Sequence, residues 1–154
     1  MFCNYDMKRL LSNIEYTSND KNVKLIEKKC SIKGEYFYCI KEGFCLSCDN
    51  VNFVKDELSD FEWEGNEIYL YSDGYIDEVL KEALIIIEQL KVQMLNEFKK
   101  TSFDIVLSVD LGDEDVNPSA TIRFYSVRDE YHIIEYDEIE EYNQPMLICD
   151  IVNK

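Results

Sequence analysis

Ile76, Leu80, Ala83, Ile87, Leu90, Met94 and Phe98 recur every three or four positions, the spacing of one face of an α-helix. The pattern predicts a helix of about 25 residues, roughly 37 Å long at 1.5 Å per residue. Val79, Leu84, Ile86 and Leu95 widen the apolar stripe. Ser72 or Asp73 is placed to cap its start, Asp77 and Glu78 suit its positive end, and Lys99 and Lys100 suit its negative end. A stripe this broad must be covered by another layer of structure, so the rest of the chain has to supply one.

The segments around it read mostly as strands. In FDIVLSVDL (103–111), Phe103, Ile105, Leu107, Val109 and Leu111 fall on one face of a strand. The loop GDEDVNPS then leads to ATIRFYSV (120–127), a turn at Arg128 to Glu130 to a strand YHIIE (131–135), and PMLICDIV (145–152) closes the series. Upstream, residues 4–16 read as a short helix on the stripe Met7, Leu10, Leu11 and Ile14. Strands follow at 23–32 and 35–41 with a turn at Lys33–Gly34, a short strand at 44–48, a loop-like acidic stretch at 49–65, and a strand at 66–72. Sequential short strands with tight turns favour antiparallel pairing. The expected class is α+β: a mostly antiparallel sheet, one long helix packed across it and a short N-terminal helix. With 154 residues, two prolines and five glycines, no linker divides the chain, and residues 1–154 are expected to form a single acidic domain.

Charge narrows the function classes. The formal net charge is −16, and it is unevenly placed. Residues 1–100 carry 13 basic and 19 acidic side chains, whereas residues 101–154 set Arg123, Arg128 and Lys154 against 13 acids. Such a field repels nucleic acid and anionic membranes and attracts basic partners. The N-terminus, MFCNYDMKRLL, lacks the apolar core of a signal peptide, and no apolar run is long enough to span a bilayer. Six cysteines without a secretory signal read as reduced thiols of a cytoplasmic protein.

The acids concentrate in RDEYHIIEYDEIEEYNQP (128–145) and DLGDED (110–115). Local helix physics accounts for part of this: Asp137 fits an N-cap with Glu140 three residues on, and Glu138 suits a helix start. It does not account for Asp129, Glu130 and Glu135, or for Asp113, Glu114 and Asp115, which form either a solvated face or a partner-binding one. The spacing in DLGDED does not match a calcium loop and reads as a polar hairpin. CLSC (45–48) lacks the second pair that structural zinc needs, and no cofactor or metal is expected. His132, the only histidine, carries no nucleophile signature beside it and reads as a structural or surface residue; a catalytic centre near it is the enzymatic alternative. Trp63, flanked by acids, is either an anchor for a basic partner or a core residue beneath a loop.

In size, charge, cysteine usage and a long helix before the series SVDL…ATIRFYSVRDEYHIIEYDE…PMLICDI, the chain resembles the immunity proteins of bacterial toxin systems, including contact-dependent growth inhibition. The resemblance is one of overall character across the whole chain and transfers no individual residue. It implies a cytoplasmic, non-enzymatic protein that binds and neutralises a cognate toxin domain, with no direct nucleic-acid or membrane contact. A nuclease toxin is basic where it grips phosphate. Asp113, Glu114, Asp115, Glu130, Glu135, Glu138, Glu140 and Glu141 are the acids expected to face such a toxin. Trp63, Phe61, Tyr131, Tyr136 and Tyr142 are the candidate buried anchors. The remaining alternative is an acidic adaptor with no catalytic role.

Overall fold

The computed structural model describes residues 1–15, 26–31, 34–41, 43–44 and 58–153. In chain order the elements are β1 (Phe2–Cys3), α1 (Tyr5–Leu11), β2 (Ile26–Cys30), β3 (Tyr36–Ile40), α2 (Leu58–Gly65), β4 (Glu67–Tyr71), α3 (Ile76–Glu97), β5 (Ser102–Asp110), β6 (Ser119–Val127), a 3-10 helix (Tyr136–Glu141) and β7 (Met146–Ile151). Five strands form one antiparallel sheet in the order β1-β7-β5-β6-β4, and β2 and β3 form a separate antiparallel hairpin. This is the expected α+β class.

One face of the large sheet carries the alternating residues Phe103, Ile105, Leu107, Ala120, Ile122, Phe124, Leu147, Cys149 and Ile151. α3 lies across it, burying Val79, Leu80, Ala83, Ile87, Leu90 and Met94 in the same core. The helix has 22 residues, slightly shorter than the periodicity predicts. Its N-cap is Tyr75, which makes no side-chain capping bond. Ser72 and Asp73 precede that cap, and the Ser72 hydroxyl donates to Glu78 at 2.9 Å instead. Leu95 and Leu111 are exposed: Leu95 lies beside the buried Met94 but outside the buried stripe of α3, and Leu111 lies just past the end of β5.

Two expected elements are corrected. Residues 58–65 are a helix, not a loop. The buried positions Leu58, Ser59, Phe61, Glu62 and Gly65 follow helical spacing, but only Leu58 and Phe61 are large and apolar, so hydrophobic periodicity does not show it. Gly65 is required there because a Cβ would collide with the Phe44 ring. Residues 131–135 are not a strand. Asp129 and Glu130 both adopt positive φ (50° and 60°), and the Tyr131 N–H donates to Arg128 O at 2.9 Å, closing a tight turn of the type that needs two left-handed residues. Ile133 and Ile134 then both pack on the sheet, so no alternation is possible. The strand expected at 44–48 and the CLSC pair lie outside the described residues, apart from Phe44, which packs against Phe37 and Phe61.

α2 joins the hairpin to the sheet through polar side chains. The fully buried Glu62 carboxylate accepts hydrogen bonds from Tyr38 N at 2.8 Å, from Ser126 N at 2.6 Å and from Arg128 NH1 and NH2 at 3.0 and 2.7 Å. Asn66 accepts from Ile40 N at 3.0 Å and donates to Tyr38 O at 2.8 Å and Phe124 O at 3.3 Å. These two side chains satisfy backbone groups of β3 that a third hairpin strand would otherwise pair. Burial pushes the Glu62 carboxyl up, against the pull of Arg128 and of the Ser126 and Tyr38 amides.

Candidate functional site

The opposite face of the sheet is only partly covered, and the acidic segment lies on it. Alternation puts Asp104, Val106, Tyr125, Met146 and Ile148 on this face, where Val106, Tyr125, Met146 and Ile148 join Ile134 and Ile139 in a second cluster with Trp63, Ile133 and Tyr136 at its margin. Asp104 is buried among these residues. Its carboxylate accepts from the hydroxyls of Tyr125 and Tyr136, each at 2.7 Å, and lies 2.7 Å from His132 Nδ1. The Tyr125 oxygen in turn accepts from Ile133 N at 2.9 Å. One carboxylate therefore pins the turn, the 131–135 stretch and the start of the 3-10 helix to β5 and β6.

Burial, followed by the Asp104 carboxylate, pushes the Tyr125 and Tyr136 phenols above the ordinary tyrosine range. With the folded-state value raised, their contribution to stability is complete below the unfolded value of about 10 and is lost as the pH rises above it. A spectrophotometric phenolate titration should show two tyrosines ionising only as the protein unfolds, one of them removed by Tyr136→Phe. Uniform titration of all eleven tyrosines near the free value would contradict this network.

Beside the cluster runs a groove of about 370 Å³. Its floor is Val106, Ser108, Thr121, Arg123 and Met146; Trp63 and Glu64 form one wall, and Ile133, Ile134, Tyr142 and Gln144 the other. Trp63 is half-buried, edge-on to Tyr125 at 5.9 Å. Arg123 lies over the Trp63 ring at 5.4 Å, donates to Trp63 O at 2.9 Å and pairs with Glu67. A second cavity of about 340 Å³ holds His132, Asp104, Tyr136, Glu130 and Asp150 among its lining.

The residues singled out by sequence separate into distinct places. Trp63 and Tyr142 share the groove. Asp113, Glu114 and Asp115 are exposed in the β5–β6 loop, which the Ser108↔Met146 register sets at the end of the sheet where β7 begins. Asp113 Oδ1 accepts from Asp115 N and Val116 N at 2.8 and 2.9 Å, giving that loop the shape of a turn. Glu130 and the exposed Tyr131 sit at the other end, where Tyr131 donates to Asp60 at 3.1 Å. Glu135, Glu138 and Glu141 are exposed. Phe61 is buried against Phe37 and Phe44, and Tyr136 stacks on Phe2 at 4.2 Å with its hydroxyl on Asp104, so both are committed internally.

Glu135, not Asp137, occupies the N-cap position of the 3-10 helix, and without a side-chain bond. Glu140 serves a different helix: it accepts from Tyr5 N at 3.0 Å in the first turn of α1, next to the N-cap Asn4. His132 is held by a carboxylate 28 residues away, a partner that sequence proximity does not indicate. Asp104 had a visible signal, an acid inside an alternating strand, and Glu62 had none. Among the described residues no group of His, Cys, Asp or Glu is placed to hold a metal ion, and no helix is long and apolar enough to cross a membrane.

Fold and surface together define an acidic α+β protein with a half-open antiparallel sheet face. The chain belongs to the family described as Uncharacterized protein PM0498 family, whose model matches residues 2–154. No curated protein and no solved structure matches it.

Proposed function

We propose that the chain is a cytoplasmic immunity protein that binds and neutralises a basic toxin domain through its acidic surface. The observation carrying this reading is where the positive charge of the acidic third goes. Arg123 turns onto Trp63 and Glu67, and Arg128 turns inward onto Glu62. The eight acids at 113–115, 130, 135, 138, 140 and 141 are all exposed, and both arginines of the same third are spent on other carboxylates. A surface of this sign draws in a basic partner and accelerates encounter, while the aromatic-walled groove supplies desolvated contact area.

Co-expression with the product of the neighbouring gene tests the proposal. That product should be toxic alone, be tolerated when the chain is present, and co-purify with it as a complex. A non-toxic neighbour, or toxicity unrelieved by the chain, would overturn the reading.

A further inference from the structure

The groove does not end at its walls. β4 is an edge strand, and its Tyr69 and Tyr71 lie on the same face of the sheet as the groove floor, since Tyr69 pairs with Thr121 and Tyr71 with Ser119. The two rings stack at 6.3 Å and an interplanar angle of 27°. They are 59% and 68% exposed, although tyrosine on a partly covered sheet normally gains from burying its ring. Tyr75, just before α3, is also exposed, as are Leu111 and Val116 in the β5–β6 loop. By register, β4 ends and that loop begins at one end of the sheet. Asp73, Asp110, Asp113, Glu114 and Asp115 are exposed in the same region.

We infer that this open part of the face, with the Tyr69–Tyr71 pair at its centre, is the docking surface, and that its partner is a basic protein surface presenting arginine or lysine side chains. The inference rests on the toxin-binding reading above and locates its contact. Charge complementarity chooses the partner: carboxylates lie at the adjoining end of the sheet, and the tyrosine pair offers aromatic faces, on which guanidinium and ammonium groups stack favourably. Tyrosine is also among the residues enriched at interface hot spots. A solvent-exposed tyrosine pair serving only strand propensity is the competing account.

The test uses the full chain and the purified, catalytically silenced toxin domain encoded beside it. Tyr69→Thr/Tyr71→Thr keeps strand-forming residues at exposed positions, so the melt should stay at the wild-type value. Affinity should fall roughly tenfold to hundredfold, as for hot-spot truncations, with most of the change in the dissociation rate. Val92→Ala, at an exposed position of α3 on the other side of the sheet, should leave affinity within about twofold, as for energetically neutral positions. Wild-type affinity in the Tyr69/Tyr71 variant, with slowed association in variants of the 113–115 acids, would overturn this docking surface and leave the charge-based reading standing. Absence of any complex with the wild-type chain would overturn both.

Discussion

Glu62→Ala is expected to lower the free energy of unfolding by about 3–5 kcal/mol, the usual consequence of removing one partner of a buried ion pair. The carboxylate is fully buried, and the Arg128 side chain is 12% exposed. Its loss leaves the guanidinium without a counter-charge and strips the Tyr38 and Ser126 amides of their acceptor. Denaturant unfolding should therefore show a lower midpoint. Glu62→Met/Arg128→Met should recover only the part of the loss that comes from the unpaired guanidinium, because the Tyr38 and Ser126 amides still lack an acceptor. A single variant as stable as the wild type would show that α2 is not held to the sheet through this pair.

Leu90→Asp is the second large effect. Leu90 is fully buried in the second half of α3, among the sheet residues it covers. The substitution removes a core side chain and places an acid where no partner waits, a loss of about 4 kcal/mol or more. Against a typical total of about 5–15 kcal/mol, that is enough to abolish a cooperative thermal melt or shift it far downward. Leu90→Ala should fall between this variant and the wild type. An unchanged melt would mean that α3 packs on the sheet by another face.

The elements legible in the sequence were those whose stabilisation is a repeating apolar pattern. α3 buries one regular face, and β5, β6 and β7 each carry a regular apolar face in the main core; the class of the fold follows from them. α2 was hidden because Ser59, Glu62 and Gly65 occupy three of its five buried positions: Ser59 donates to Ser126 O, Glu62 is satisfied by an arginine 66 residues away, and Gly65 is chosen for lack of a side chain. The 131–135 stretch has the composition of a strand. Its backbone is diverted by the turn at Asp129–Glu130 and held by Asp104, contacts that no local window contains. The acidic surface was legible as composition, since exposed carboxylates are the default state of that residue type. Its division into two ends, and the commitment of Glu140 to capping α1, depended on strand register. The Tyr69–Tyr71 pair was legible only as part of a strand, because alternation gives which residues share a face but not whether that face is covered.

Stopped-flow association with the toxin domain that co-expression identifies shows whether exposed carboxylates steer a basic toxin onto the chain. The variants are Asp113→Asn/Glu114→Gln/Asp115→Asn and, separately, Glu138→Gln/Glu141→Gln, with Glu140 left intact because it caps α1. The Asp113→Asn change keeps an acceptor oxygen for the turn that Asp113 organises. The first set should slow association by about tenfold or more at low salt. Raising the salt should slow the wild type in the same way, since the screening length is only about 8 Å at 0.15 M. An association rate unchanged in both sets and insensitive to salt would contradict the claim, leaving the acids as a solvated surface.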